Sequence, residues 1–227
     1  MDIDFSPYFE KYERLIKTVD DVFARVKNDY PDCVKCEKGC DDCCYAMFDL
    51  TLIEALYLNQ KFNTLFKDQD RVEIEERANR ADRQIHKIKR AAFNKLEGGT
   101  SEADILSELA LERVRCPLLN DHKVCEMYEF RPATCRLYGI PTAINGRGHT
   151  CGKSGFESGG SYPTVNMDRL FGRLQEISAE LILDIKSKYV KLADMLVPLS
   201  MALLTDYTEE YLGIKDDTGP GDDRIIR

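Results

Sequence analysis

Nine cysteines occur in this 227-residue chain, and five of them fall within the twelve residues Cys33-Val34-Lys35-Cys36-Glu37-Lys38-Gly39-Cys40-Asp41-Asp42-Cys43-Cys44. Any one of these thiols could be a buried small residue, but their density points to bonding with one another or with a metal. The N-terminus, Met1-Asp2-Ile3-Asp4, is acidic and leads into an amphipathic segment, so it lacks the basic and apolar regions of a secretion signal. In a reducing cytoplasm disulfides are disfavoured and soft metals stabilise thiolates, so metal ligation is the expectation. An odd cysteine count also speaks against a disulfide framework.

The first block cannot close a site alone. A zinc ribbon separates its knuckles by roughly 15–20 residues so that the chain can fold back over the metal. Here three residues separate Cys36 from Cys40, and the neighbours Cys43 and Cys44 point their side chains apart in ordinary backbone. Further ligands must come from Cys116, Cys125, Cys135 and Cys151, or the block serves more than one metal or an iron-sulfur cube.

The order of these residues is specific: Cys-x2-Cys-x3-Cys-x2-Cys-Cys, then Cys116-Pro117-Leu118, then Cys125-x2-Tyr128-x2-Arg131-Pro132-x2-Cys135-Arg136. It resembles the YkgJ-like family of cysteine-cluster proteins, described as zinc- or iron-chelating. The resemblance covers about Cys36 to Tyr138. The family's first block usually runs Cys-x2-Cys-x2-Cys-Cys, which maps onto Cys36, Cys40, Cys43 and Cys44 with one extra residue. Cys33, Cys151 and the neighbouring His149 lie outside that pattern. All nine cysteines (Cys33, Cys36, Cys40, Cys43, Cys44, Cys116, Cys125, Cys135 and Cys151) are candidate metal ligands, seven of them supported by the resemblance.

Zinc and an iron-sulfur cluster both remain open as the cofactor. Zinc would supply inert tetrahedral staples, and a multi-iron cluster would suit vicinal, closely spaced thiols. Arg131 and Arg136, flanking Cys135, could stabilise thiolates, although pairing with Glu126 or Glu129 is the commoner role for such arginines. A metal-binding module with a chelating, redox or structural role is the first functional expectation. A metal-dependent protein-modifying enzyme is the second, since the resemblance extends to cysteine-cluster proteins associated with lysine methylation of flagellin. No Walker loop, dinucleotide fingerprint or nucleophile elbow accompanies it.

Around the cysteines the pattern is helical, giving a mostly α fold built about a cysteine-rich metal site, with residues 1–214 as one domain (metal motif 33–151) and 215–227 as a flexible tail. Apolar residues from Tyr8 to Val26 recur every three or four positions, with Ser6 and Pro7 as the start and Pro31 as the stop. Thr51 and Glu54 form a capping box for a helix from Leu52 to about Phe62. A long stripe, Ile74, Ala78, Ala81, Ile85, Ile88, Ala92 and Leu96, ends at Gly98-Gly99, and Ser101 with Asp104 caps a fourth helix that carries Ile105 through Val114 toward Cys116. Residues 138–164 are glycine-rich and read as irregular, with backbone free to approach a ligand closely. Helical periodicity returns over Met167–Ile185 and Leu192–Leu204, where Pro198 kinks or restarts it. No long strand pattern is present.

A formal net charge of −8 argues against partners chosen by bulk basic charge. The run Arg77, Arg80, Arg83, Lys87, Lys89, Arg90 and Lys95 reads as a solvated helix face, not a nucleic-acid site, and leaves a protein partner open. The longest apolar run, near Met195–Leu204, is too short to span a membrane.

Overall fold

The computed structural model describes residues 3–37, 39–157 and 159–214. The expected flexible tail, 215–227, lies outside the described residues. Most of the described chain is helical. Helix α1 runs Ser6–Asp29, strand β1 Asp49–Thr51, α2 Leu52–Leu65, α3 Asp68–Glu97, α4 Glu102–Leu109 and α5 Ala133–Leu137. Strands β2 (Thr142–Ile144), β3 (Arg147–His149) and β4 (Val165–Asn166) follow, then α6 (Met167–Asp184), β5 (Leu196–Pro198) and α7 (Leu199–Leu204).

Helices α1 and α6 bury one face each, and α2, between them and α3, is buried all round from Leu52 to Asn59. Tyr12, Ile16, Val19, Leu52, Ile53, Leu56, Leu174, Leu181 and Ile182 meet in a single apolar cluster, the three-four spacing having placed them on facing stripes. Polar groups fix the angles. The Ser178 hydroxyl accepts from the Ile53 N–H at 3.1 Å, satisfying one orphan donor at the start of α2, and donates to the Leu174 carbonyl at 3.0 Å. A second cluster joins α2, α3 and α7 through Leu58, Phe62, Ile74, Ala78, Ala202 and Leu203. There the Asn59 amide donates to the carbonyls of Ala202 (2.9 Å) and Thr205 (3.0 Å), tying down the end of α7.

Several local expectations need correction. Helix α1 is entered through Phe5, and Ser6 does not cap it; instead the Asp4 carboxylate accepts from the Ser6 N–H at 2.9 Å. The α3 stripe buries only Ile74, Ala78 and Ala81, because its second half runs past the body and meets chiefly α4, leaving Phe93 and Leu96 exposed. Gly99, at φ +89°, ends that helix in a backbone region glycine enters freely. Helix α4 stops at Leu109, and Val114 lies in extended chain. Pro198 restarts α7, but the preceding Leu196–Pro198 is a strand, antiparallel to β1 with Leu50 opposite Val197. The glycine-rich stretch contains two short strands, β2 pairing antiparallel with β3 and parallel with β4 just beyond the stretch. Three-residue strands show no period-2 pattern long enough to be read from sequence.

Candidate metal centre

Backbone hydrogen bonds bring the two cysteine blocks together. The Cys116 N–H donates to the Cys44 carbonyl at 2.7 Å and the Val114 N–H to the Tyr45 carbonyl at 3.0 Å, so the chain after α4 runs alongside the first block. Further on, the Glu126 N–H donates to the Leu118 carbonyl at 2.8 Å, folding the segment into a tight turn that presents Cys116 and Cys125 on one side. Helix α5 then delivers Cys135. Its start is anchored by Glu54: one carboxylate oxygen accepts from the N–H and hydroxyl of Thr51 at 3.1 and 2.9 Å, and the other from the Ala133 N–H at 3.1 Å. The capping-box glutamate, 2% exposed, thus joins the first turn of α2 to that of α5.

Two cavities result. The inner one is lined by Cys43, Cys44, Cys116, Cys125 and Cys135 and walled by Ala81, Val114, Leu118, Met127 and Leu199. The outer one is lined by Cys36, Cys40, Cys43 and Cys151, with Lys35, Tyr138 and Lys153 at its rim. Cys43 alone borders both. Cys33 borders neither; it packs at the edge of the α1–α2–α6 cluster, and its carbonyl accepts from the Gly155 N–H at 2.8 Å. His149 is exposed on β3, the ordinary reading of a lone loop histidine.

Among the described residues no three His, Cys, Asp or Glu side chains converge closely enough to hold a metal ion as they stand. The expected fold "built around" a formed metal site is corrected to that extent: the chain gathers the thiols around voids without closing a coordination shell. Their chemistry nevertheless fits a soft metal. Thiols are the donors such metals prefer, and a cradle has been left for one of them: a Cβ on Gly139 would lie 2.5 Å from the Cys36 Cβ and 3.3 Å from its Sγ, so glycine there makes room for that thiol.

The electrostatics differ from thiol to thiol. A hydrogen bond from the Cys44 thiol and the nearby Arg131 charge bring Cys43 down to about 7 in spite of burial, and Cys44, the donor of that bond, is pushed up. Burial raises Cys116 to about 12 and Cys135 well above its usual value, each also facing other thiols of the inner group. Burial raises Cys125, Cys36 and Cys151 as well. In the outer group the Cys151 Sγ accepts from the Lys153 backbone N–H at 3.4 Å and lies 3.6 Å from the Asp42 carboxylate.

The two arginines around Cys135 divide between the expectations, Arg131 acting on thiolates and Arg136 pairing with a carboxylate other than Glu126 or Glu129. Arg136 makes a two-pronged contact with Asp20 at 2.9 and 2.7 Å, and Glu126 is held by Arg77. Arg131 stacks 3.6 Å from the Tyr128 ring centre, where its charge favours the thiolates of Cys43, Cys125, Cys135 and Cys36. Glu54 and the Asp42–Arg113 pair at 2.8 Å were not legible as parts of the site, Glu54 being marked only by its capping box, whereas Gly139 lies in the glycine-rich stretch expected to approach a ligand closely.

The sequence match decides the family. Residues 35–152 fit the family model "CxxCxxCC: Putative zinc- or iron-chelating domain". The chain belongs to this cysteine-cluster family. The matched segment takes in every cysteine that lines either cavity and excludes Cys33, the one that lines neither. No curated protein and no solved structure matches the chain. Among the described residues no helix is long and apolar enough to cross a membrane.

Proposed function

We propose that this family member is a metal-chelating protein whose inner cavity holds an iron-sulfur cluster. The supporting observation is that thiols from both blocks, roughly seventy residues apart in sequence, line one cavity with apolar walls. Five thiols line that cavity, one more than a tetrahedral zinc takes, and the vicinal pair among them suits a multi-iron cluster, whose negative charge Arg131 would offset in part. The cluster would be held by Cys116, Cys125, Cys135 and one of the vicinal pair, and would supply electron transfer or Lewis acidity.

The same reading places the protein in the reducing cytoplasm and treats residues 1–214 as one domain, since Phe130, Met195 and Tyr207 pack against both apolar clusters. No observation favours the protein-modifying alternative, and it is not developed.

The deciding experiment is anaerobic purification followed by visible absorption and assay of iron, zinc and acid-labile sulfide. A brown protein with sulfide matching its iron is expected. Zinc alone without sulfide would replace the cluster by a structural ion, and a chain free of both metals would end the chelating reading.

A further inference from the structure

The five thiols of the first block do not face the same way. Cys44 lines only the inner cavity, and its carbonyl is the acceptor for the Cys116 N–H. Cys36 and Cys40 line only the outer cavity, where Cys151 arrives from beyond β3, and Cys43 borders both. Counting Cys43 outward gives two sets of four, the number that fills a tetrahedral shell or ligates a four-iron cube. We propose that the cysteines form two separate centres: a buried one of Cys44, Cys116, Cys125 and Cys135, and an open one of Cys36, Cys40, Cys43 and Cys151 that binds and releases a single Zn²⁺ ion. This rests on the chelating reading above and adds the division of labour within it.

Two observations carry the second centre. Its spacings, Cys36-x3-Cys40-x2-Cys43, lie within the two to four residues that a zinc knuckle uses, whereas the inner set draws on widely separated segments. Its surroundings differ in kind. The inner cavity has buried walls in Ala81, Val114, Leu118 and Met127, with Arg115 exposed at its edge, while the outer set is backed by the buried Gly139 and flanked by the exposed Lys35, Gly39, Gly152 and Lys153, so an ion there can meet water and competing ligands on that side. The charges around it are mixed: Lys35 and Lys153 stand at the rim, but Lys153 lies 3.5 Å from the Asp41 carboxylate and the Asp42 carboxylate lies 3.6 Å from the Cys151 Sγ.

Gly139 positions the outer set without ligating. Any side chain at 139 would press on Cys36, so the backbone at that point is shaped for this thiol. A substitution there alters the outer centre while leaving all nine sulfurs in place.

The test is metal release from the full chain, purified anaerobically, to a competing chromophoric chelator, with folding checked by circular dichroism. Two phases are expected, one equivalent of zinc leaving quickly and the remaining metal slowly. Cys40→Ser removes the fast phase alone, Cys116→Ser the slow one alone, and Gly139→Ala weakens Zn²⁺ binding at the fast site about tenfold, a typical effect of disturbing what supports a ligand. Should Cys116→Ser fail to fold, Cys40→Ser on the open rim still decides. A single phase, or equal loss of all metal in Cys40→Ser and Cys116→Ser, overturns the two-centre proposal and leaves chelation standing. Slow metal only, untouched by Cys40→Ser, does the same. Absence of metal from the unmodified protein overturns both.

Discussion

The helical cluster of α1, α2 and α6 and the cysteine-bearing segments beside it are held together by different means. In the cluster, residues such as Leu52, Ile53, Leu174 and Leu181 have essentially no exposure, and regular helices satisfy their own backbone groups. Between Pro31 and Ala46, and again between Arg113 and Cys151, regular elements are short, and the chain combines single buried anchors such as Val34, Leu118, Met127, Leu137 and Ile140 with scattered backbone bonds, ion pairs and close approaches. All nine cysteines lie in the second region and keep part of their surface. Apolar burial dominates the first region, whereas the second adds to its buried anchors a set of polarisable donors that burial disfavours in their charged form. A bound metal would add stabilisation there.

The sharpest way to break this contrast is to weaken each side alone. Leu181→Ala should cost about 2–5 kcal/mol, from lost transfer energy plus a cavity, in chemical denaturation monitored by helix signal. Removing metal should spare that signal. Hydrogen exchange on chelated protein is expected to show lost protection between Pro31 and Ala46 and between Arg113 and Cys151, with α1 and α6 little changed. Uniform protection would mean that the cysteine region stands without metal.

Glu54 bridges the two regions and should show an intermediate effect. Glu54→Ala leaves the Thr51 and Ala133 N–H groups without acceptors, at about 1–3 kcal/mol, and should also lower metal retention by freeing Cys135. A stability loss with unchanged metal content would confine Glu54 to the helical side.

The pH dependence should run in opposite senses. Burial raises the Glu54 carboxyl above its ordinary 4.5, so its protonated form is favoured by folding. The contribution is fully present below 4.5 and is lost as pH rises through the higher folded value, a slope that Glu54→Gln should flatten in urea titrations. Metal retention should instead fail on acidification, because protons compete for the thiolates. If both quantities fell together in acid, the two regions would be one cooperative unit.

The smallest effect belongs to Cys33. Cys135→Ser is expected to abolish a metal centre, whereas Cys33→Ser should retain full metal content and change stability by no more than about 1 kcal/mol, since it lines neither cavity. Metal loss on replacing Cys33 would move the boundary between the regions toward α1.

Caps and stripes were legible because they are local. Thr51 with Glu54 and Ser101 with Asp104 form the predicted caps, and the α1 and α6 stripes fall on the predicted faces. Strands β1 and β5 were not, since three residues carry no period and their pairing joins Leu50 to Val197 across most of the chain. The α3 stripe misled for a related reason: Ile85 through Leu96 have helical spacing, but whether a face is buried depends on what packs against it.

The site divides along the same line. The sequence by itself determined that thiols of the right kind and number would be present, and, through the family-specific Arg131-Pro132-x2-Cys135-Arg136 pattern, that the two blocks belong to one family unit. The pattern also set Cys33 apart, but the folded arrangement was needed to show which thiol faces which cavity, that Gly139 yields to Cys36, and that the capping glutamate of one helix holds the start of another. The physical reason is that residue type fixes donor chemistry, whereas neighbours across seventy residues are chosen by backbone bonds such as Cys116 N–H to the Cys44 carbonyl, which almost any residue can make.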